Sequence, residues 1–190
     1  MTRIATILTL LAVFLGVPGN GIALLAEDLG DKLQIGGEIR FRVEGDARDF
    51  DSDTDPHSYH YLRTRLALDF HADTRARVFI QAQDSRVLGQ PTSGTLDNDD
   101  NLGIHQAFAH LDGYLTEGLY HCIGRFEYAK GNQRLLGTVG WHNVGRAWDG
   151  VMSGYACEKL TVEGFLLKNE EGELLRNDDK DLFGVYIEIK

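Results

Sequence analysis

The chain is poor in proline, cysteine and basic residues, and it has no long apolar run. Three prolines in 190 residues do not make a proline-rich linker or tail, and 22 glycines beside them suit a sheet protein with tight turns. Two cysteines form neither a disulfide framework nor a four-ligand zinc site. The 19 bases against 29 acids give a net charge of -10, the opposite of the basic footprint of a nucleic-acid binder. The longest apolar stretch, residues 4–17, falls short of the ~20 residues a spanning helix needs. With 43% apolar and 25% charged residues, the composition matches neither a disordered chain nor a helical membrane bundle.

Catalytic and cofactor signatures are missing as well. The chain has no phosphate loop and no dinucleotide fingerprint. Ser153 lies in Gly150-Val151-Met152-Ser153-Gly154, one position off a nucleophile elbow. Ser153, His121 and His142 form no clear constellation. His57 and His60 are three apart in a loop, with no third ligand in sight. The chain is read as a non-enzyme without metal or cofactor.

Residues 1–26 read as an export signal. Arg3 precedes the uncharged run 4–17, Pro18 to Gly21 break it, and small residues follow at Ala23 and Ala26. Cleavage near Ala23 or Ala26 would leave 27–190 as the mature part.

After residue 26 the dominant pattern has period two. Leu33, Ile35, Ile39, Phe41 and Val43 oppose Gln34, Glu38, Arg40, Arg42 and Glu44. Side chains of a strand switch faces at every residue, so this segment has one apolar and one charged side. Leu62, Leu66, Leu68 and Phe70 oppose Tyr61, Arg63, Arg65 and Asp69. Ala76, Val78, Ile80 and Ala82 oppose Arg75, Arg77, Gln81 and Gln83, with Phe79 on the polar side. Phe183, Val185, Ile187 and Ile189 oppose Gly184, Tyr186 and Glu188. Weaker segments at 103–111, 119–128, 148–157 and 160–168 bring the expected strands to about eight.

The connections alternate in length. Long ones are expected at 46–57, 87–101, 129–147 and 169–180. Short ones fall at 72–73, 112–118 and 158–159. That rhythm is the one of an outer-membrane barrel, with long external loops and short periplasmic turns. A secreted β-sandwich that binds carbohydrate alternates apolar and polar residues too. Its strands are shorter, and nothing in it demands that the loops alternate in length.

The middle of the chain resembles the alginate-export family of outer-membrane porins. The stretches are Leu62-Arg63-Thr64-Arg65-Leu66, Gln83-Asp84-Ser85-Arg86 and His105-Gln106-Ala107-Phe108. They continue with Gly124-Arg125-Phe126-Glu127-Tyr128, Gly131-Asn132-Gln133-Arg134-Leu135, Trp141-His142-Asn143-Val144-Gly145-Arg146 and Asp149-Gly150. The resemblance implies an all-β, antiparallel transmembrane β-barrel in the outer membrane of a Gram-negative bacterium. It implies passive export of an anionic polysaccharide such as alginate, guided by lumenal arginines, with periplasmic export machinery as a further partner. A general anion porin is the other porin reading. The family barrel has roughly 18 strands, on the order of 370 residues at ~20 per strand and connection. The residues from 27 to 190 supply about eight strands, and the expectation is an N-terminal portion of a larger barrel.

The chemistry is expected on the charged faces. Arg40, Arg42, Arg63, Arg65, Arg75, Arg77 and Arg125 stand against Glu38, Glu44, Asp69 and Glu127, an excess of +3. Arginine stays ionised and grips carboxylates through paired hydrogen bonds, and rings of arginine select anions in pores. Arg40, Arg42, Arg63, Arg65, Arg77 and Arg125 are therefore the expected substrate-binding residues of the lumen, and Arg134 joins them from the third long loop. Arg75, beside a turn, reads as a rim or headgroup contact. Arginines that merely pair with wall acids are the competing reading. The third long loop, with Lys130, Arg134, Arg146, Trp141 and Trp148, either folds inward to constrict the pore or sits at the headgroups. The acidic loops, including Asp49, Asp51, Asp53 and Asp55, lack the glycine and glutamate of an EF-hand and read as solvated.

Overall fold

The computed structural model describes residues 21–28, 32–46, 57–88, 99–168 and 181–189. It is all-β and antiparallel. Nine strands form one sheet in sequence order: β1 (Gly21–Asp28), β2 (Leu33–Asp46), β3 (His57–His71), β4 (Ala76–Leu88), β5 (Asp99–Asp112), β6 (Leu119–Phe126), β7 (Trp148–Ala156), β8 (Leu160–Lys168) and β9 (Asp181–Ile189). β2 to β9 fall on the eight segments expected from alternation. β1 is additional and overlaps the end of the expected export signal, pairing Gly21 with Phe41 and Asp28 with Gln34. The apolar run 4–17 and the aspartates 49–55 lie outside the described residues.

Every neighbouring pair is antiparallel, so β1 and β9 are the two edges among the described residues. Short turns link β3 to β4, β5 to β6 and β7 to β8 at one end of the sheet. In the first, the Asp73 carboxylate accepts the N–H groups of Arg75 at 2.7 Å and Ala76 at 2.9 Å. The Arg75 hydrogen bond is the main reason its carboxyl titrates below the usual range. The strand ends that lead into the longer connections lie at the other end.

Burial is inverted relative to a soluble protein. Arg63 is 5% exposed, whereas Leu66 on the same strand is 56% exposed. Arg40, Arg42, Gln83, Ser85 and His105 are buried as well, while Ile39, Phe41, Val43, Leu68, Phe70, Val78 and Ile80 are exposed. One face of the sheet is therefore an apolar wall. The other, here the inner face, carries the polar groups and is covered by the connection between β6 and β7, residues 127–147. A β-sandwich would bury the apolar face under a second sheet. A membrane barrel presents that face to lipid, and with all strand pairs closed its backbone needs no water. Among the described residues no helix is long and apolar enough to cross a membrane.

The inner face has two halves. On β2 to β4 it is polar, as the alternation predicts. On β6 to β9 it is apolar: Cys122, Phe126, Trp148, Met152, Phe165 and Leu167 form a buried cluster with Tyr128 and Leu136 of the connection. β6 to β8 gave weak alternation because both of their faces carry apolar residues. Phe79, on the polar side of its strand in sequence, joins the aromatic side through Phe108, with ring centroids 5.3 Å apart. Cys122 is buried, Cys157 is exposed, and both are free thiols.

A charge on the apolar wall should be costly. Leu66→Arg is expected to destabilise assembly by about 2–4 kcal/mol if the residue sits near the bilayer midplane. Gln81→Arg on the inner face should be tolerated. Reversible folding into lipid vesicles, followed by denaturant titration, measures both.

Candidate functional site: an arginine ladder under an inward strap

Register sets the site. Arg40 on β2 lies opposite Arg63 on β3, and Arg65 lies opposite Gln83 on β4. Four guanidinium groups, Arg40, Arg42, Arg63 and Arg65, thus occupy neighbouring positions on one face. Such a cluster repels itself and loses water on burial, so every group needs acceptors.

The connection 127–147 supplies most of them. It crosses the inner face as a strap. Its first part packs on the aromatic half: Tyr128 lies on Phe165 with centroids 5.3 Å apart. Glu163, buried on β8, accepts from Tyr120 at 2.5 Å, Tyr128 at 2.9 Å and Lys130 at 2.5 Å. The later part lies over the arginines and turns its carbonyls toward them. Arg40 donates to Gly140 O and His142 O, both at 2.7 Å. Arg42 donates to Trp141 O and lies 4.4 Å from the Trp141 ring centre. Arg63 donates to His142 O at 3.3 Å and, through Nε and Nη2, to Glu38 Oε1 at 3.0 and 2.6 Å. Arg65 donates to Gln83 at 2.5 Å, to Glu127 at 3.2 Å and to Val144 O at 3.3 Å.

Neutral side chains hold the same segment. Gln83 donates to Val144 O at 2.9 Å and Ser85 to Asn143 O at 3.1 Å. Asn143 is fully buried, and its amide donates to the backbone carbonyls of Leu62 and Arg86, each at 3.2 Å. Gly145 has φ +83°, and a Cβ there would stand 3.2 Å from Arg65 Nη2. Only glycine combines that conformation with so close an approach. Val139 carries φ 50° at the turn of the strap, a strained setting for a β-branched residue.

A bulge brings in His105. Gln81 pairs with Gln106 and Ala82 with Ile104, which leaves His105 as the extra residue of β5. Bulges re-aim side chains. Here His105 Nε2 reaches Glu127 Oε1 at 2.8 Å and Arg65 Nη2 at 2.9 Å. Burial alone would raise the Glu127 carboxyl, but the His105 hydrogen bond and the Arg65 charge outweigh it and hold it below the usual range.

Of the residues expected in the lumen, Arg40, Arg42, Arg63 and Arg65 come together. Arg77 is on the inner face but apart from them. It pairs with Asp69 at 2.7 Å, six residues below the Gln83 level and so about 20 Å along the strand. Arg134 lies exposed in the strap rather than on the strand wall. Arg125 is a correction. Its β5 partner is Ala107 and its β7 partner Asp149, and both belong to the outward face. Gly124 and Phe126 take the inward positions. The sequence 119–126 mixes polar and apolar residues on both faces, so alternation could not settle its parity. Arg75 sits exposed in its turn. Over the positions counted from the sequence, the excess accordingly drops from +3 to +1: Arg40, Arg42, Arg63, Arg65 and Arg77 against Glu38, Glu44, Asp69 and Glu127. His121 and Ser153 meet at 2.8 Å on the outward face of β6 and β7. Sequence reasoning missed Asn143, Gln83 and His105 as members of the site. All three lay in the motif stretches, and Gln83 also fell on the polar face of its alternating segment.

The alginate-export family model matches residues 31–190. No curated protein matches the chain.

Asn143→Ala removes two buried hydrogen bonds and is expected to loosen the strap by about 1–3 kcal/mol, read as faster proteolysis within 127–147. Protection should also depend on pH. Because the folded Glu127 carboxyl lies below its unfolded value of about 4.3, its contribution is complete above that pH. It fades as pH falls through the lower folded value. Glu127→Gln should abolish this acid-side loss.

Proposed function

The chain belongs to the alginate-export family, and from that premise we propose that it works in the outer membrane as a porin for passive export of an anionic polysaccharide such as alginate. The observation that carries the reading is the inverted wall, with exposed Leu66, Leu68, Phe70 and Ile80 outside and buried Arg40, Arg42 and Arg63 inside, beside a half-buried Arg65. A uronate polymer presents one carboxylate per sugar. Each guanidinium can exchange a strap carbonyl for a substrate carboxylate oxygen, and charge-assisted bonds to carboxylate are the stronger of the two. Among the described residues, Arg40 Nε and Arg42 Nη2 are buried donors with no hydrogen-bond partner, which supports an acceptor arriving from outside the protein.

The strap sets the mechanism. Its carbonyls, together with Glu38 and Glu127, hold the ladder in place. A polymer advancing along the inner face meets donors already aligned. The bonds are many and individually weak, which permits release from one arginine to the next. The role is transport, and the site has no group assigned to bond making. The run 4–17 behind Arg3 supports delivery by an export signal removed near Ala23 or Ala26. Its removal would leave β2 as the edge of the sheet.

Planar-bilayer recording of the full chain tests the reading. Arg40→Gln, Arg63→Gln and Arg65→Gln together are expected to cut anion selectivity and to abolish block by added oligouronate. Arg86→Gln, a change on the outward face, should leave both as they were. Unaltered selectivity in the triple variant would remove the arginine mechanism.

A further inference from the structure

The chain has two tryptophans, and the fold gives them opposite surroundings. Trp148 is 7% exposed, inside the aromatic cluster of the inner face, whereas Trp141 on the strap is 65% exposed. Trp141 lies over the arginine ladder, on the side of the sheet opposite the apolar wall, so lipid does not cover it. An apolar ring of this size left open to water favours a partner that would cover it.

The ring is fixed in place. The guanidinium carbon of Arg42, a buried residue of β2, lies 4.6 Å from the ring centre of buried Tyr61 and 4.4 Å from that of Trp141. The same arginine bonds the Trp141 carbonyl. His142 meets the indole edge to face, with centroids 5.7 Å apart and planes at 88°. The next residue, Asn143, is fully buried and bonded to the backbones of β3 and β4. The indole is therefore ordered before any ligand arrives, which lowers the entropy lost on binding. Its N–H, a donor, makes no hydrogen bond to protein among the described residues.

We propose that Trp141 is a stacking platform for one pyranose ring of the passing polymer. The apolar C–H face of the sugar lies on the open face of the indole, the indole N–H donates to a sugar oxygen, and the carboxylate is left to the arginine ladder. The C–H groups of a pyranose carry slight positive charge and match the negative face of an aromatic ring. Arg42 narrows the choice of occupant. A cation already seated on the indole repels a second one, so a quaternary ammonium is disfavoured where a neutral or anionic sugar is not. A simple inorganic anion has no apolar face to lay on a ring, so this position separates a uronate polymer from anions at large. The inference rests on the polysaccharide-transport reading and adds to it a group that recognises the sugar ring rather than its charge.

Acrylamide quenching of tryptophan emission in the full chain, folded in detergent, reads the site, because the quencher reaches exposed Trp141 and not buried Trp148. An oligouronate and a neutral β-oligomannoside of equal length should both protect the emission, the neutral sugar more weakly. Oligoglutamate, a polyanion with no sugar ring, should not. In planar bilayers Trp141→Ala should weaken current block by the oligouronate about tenfold, and Trp141→Phe, which keeps an aromatic face, should recover most of it. Heat-dependent gel mobility shows whether each variant is folded, and the quenching test needs no variant. Protection by oligoglutamate equal to that by the oligouronate would overturn the ring contact, and so would unaltered block in folded Trp141→Ala. A wild-type pore without anion selectivity, its Trp141 still protected by the oligomannoside, would remove the arginine mechanism and uphold the stacking platform.

Discussion

Guanidinium groups crowded onto one face of a sheet cannot remain there without acceptors. Arg40, Arg42, Arg63 and Arg65 sit close enough to repel one another and are largely removed from water. Glu38, Glu44 and Glu127 supply carboxylates for Arg63, Arg42 and Arg65. Backbone carbonyls of the strap, from Gly140, Trp141, His142 and Val144, supply most of the remainder. A buried cation without such partners would cost several kcal/mol. The inward course of residues 127–147 follows from this demand, and so does the shape of the inner face.

The strap needs its own footing, and the aromatic half of the inner face provides it. Tyr128 and Leu136 pack into the cluster around Phe126 and Phe165, while Glu163 collects Tyr120, Tyr128 and Lys130. One half of the sheet thus anchors the segment that neutralises the other half. This division explains why the inner face is not uniformly charged. It also limits the electrostatic argument: Glu38, Glu44, Asp69, Glu127 and Glu163 largely offset the arginines, so the effect on an anion comes from local placement of donors rather than from a broad positive field.

Much of the wall was legible in the amino-acid order. The alternation at 33–44, 61–70 and 75–83 named both the strands and their faces, since a residue's parity decides its side once a strand is assumed. The rhythm of connections named the two ends of the sheet. Arg125 shows where this reasoning stops. In Leu119–Phe126 large apolar residues occur at both parities, so the local pattern carried no information about which side faced inward. His105 shows a second limit. Its side is decided by a bulge, and a single extra residue reverses the parity of everything beyond it.

By itself the sequence determined that the chain forms long antiparallel strands with one apolar and one polar face, because strand periodicity is a property of neighbouring residues. Tertiary structure alone decided which polar residues become a site. Arg40 and His142 are separated by 102 positions and meet only because the strap crosses the sheet. No local pattern encodes that meeting: it depends on where the aromatic half anchors the strap and on which carbonyls then come within reach of the arginines.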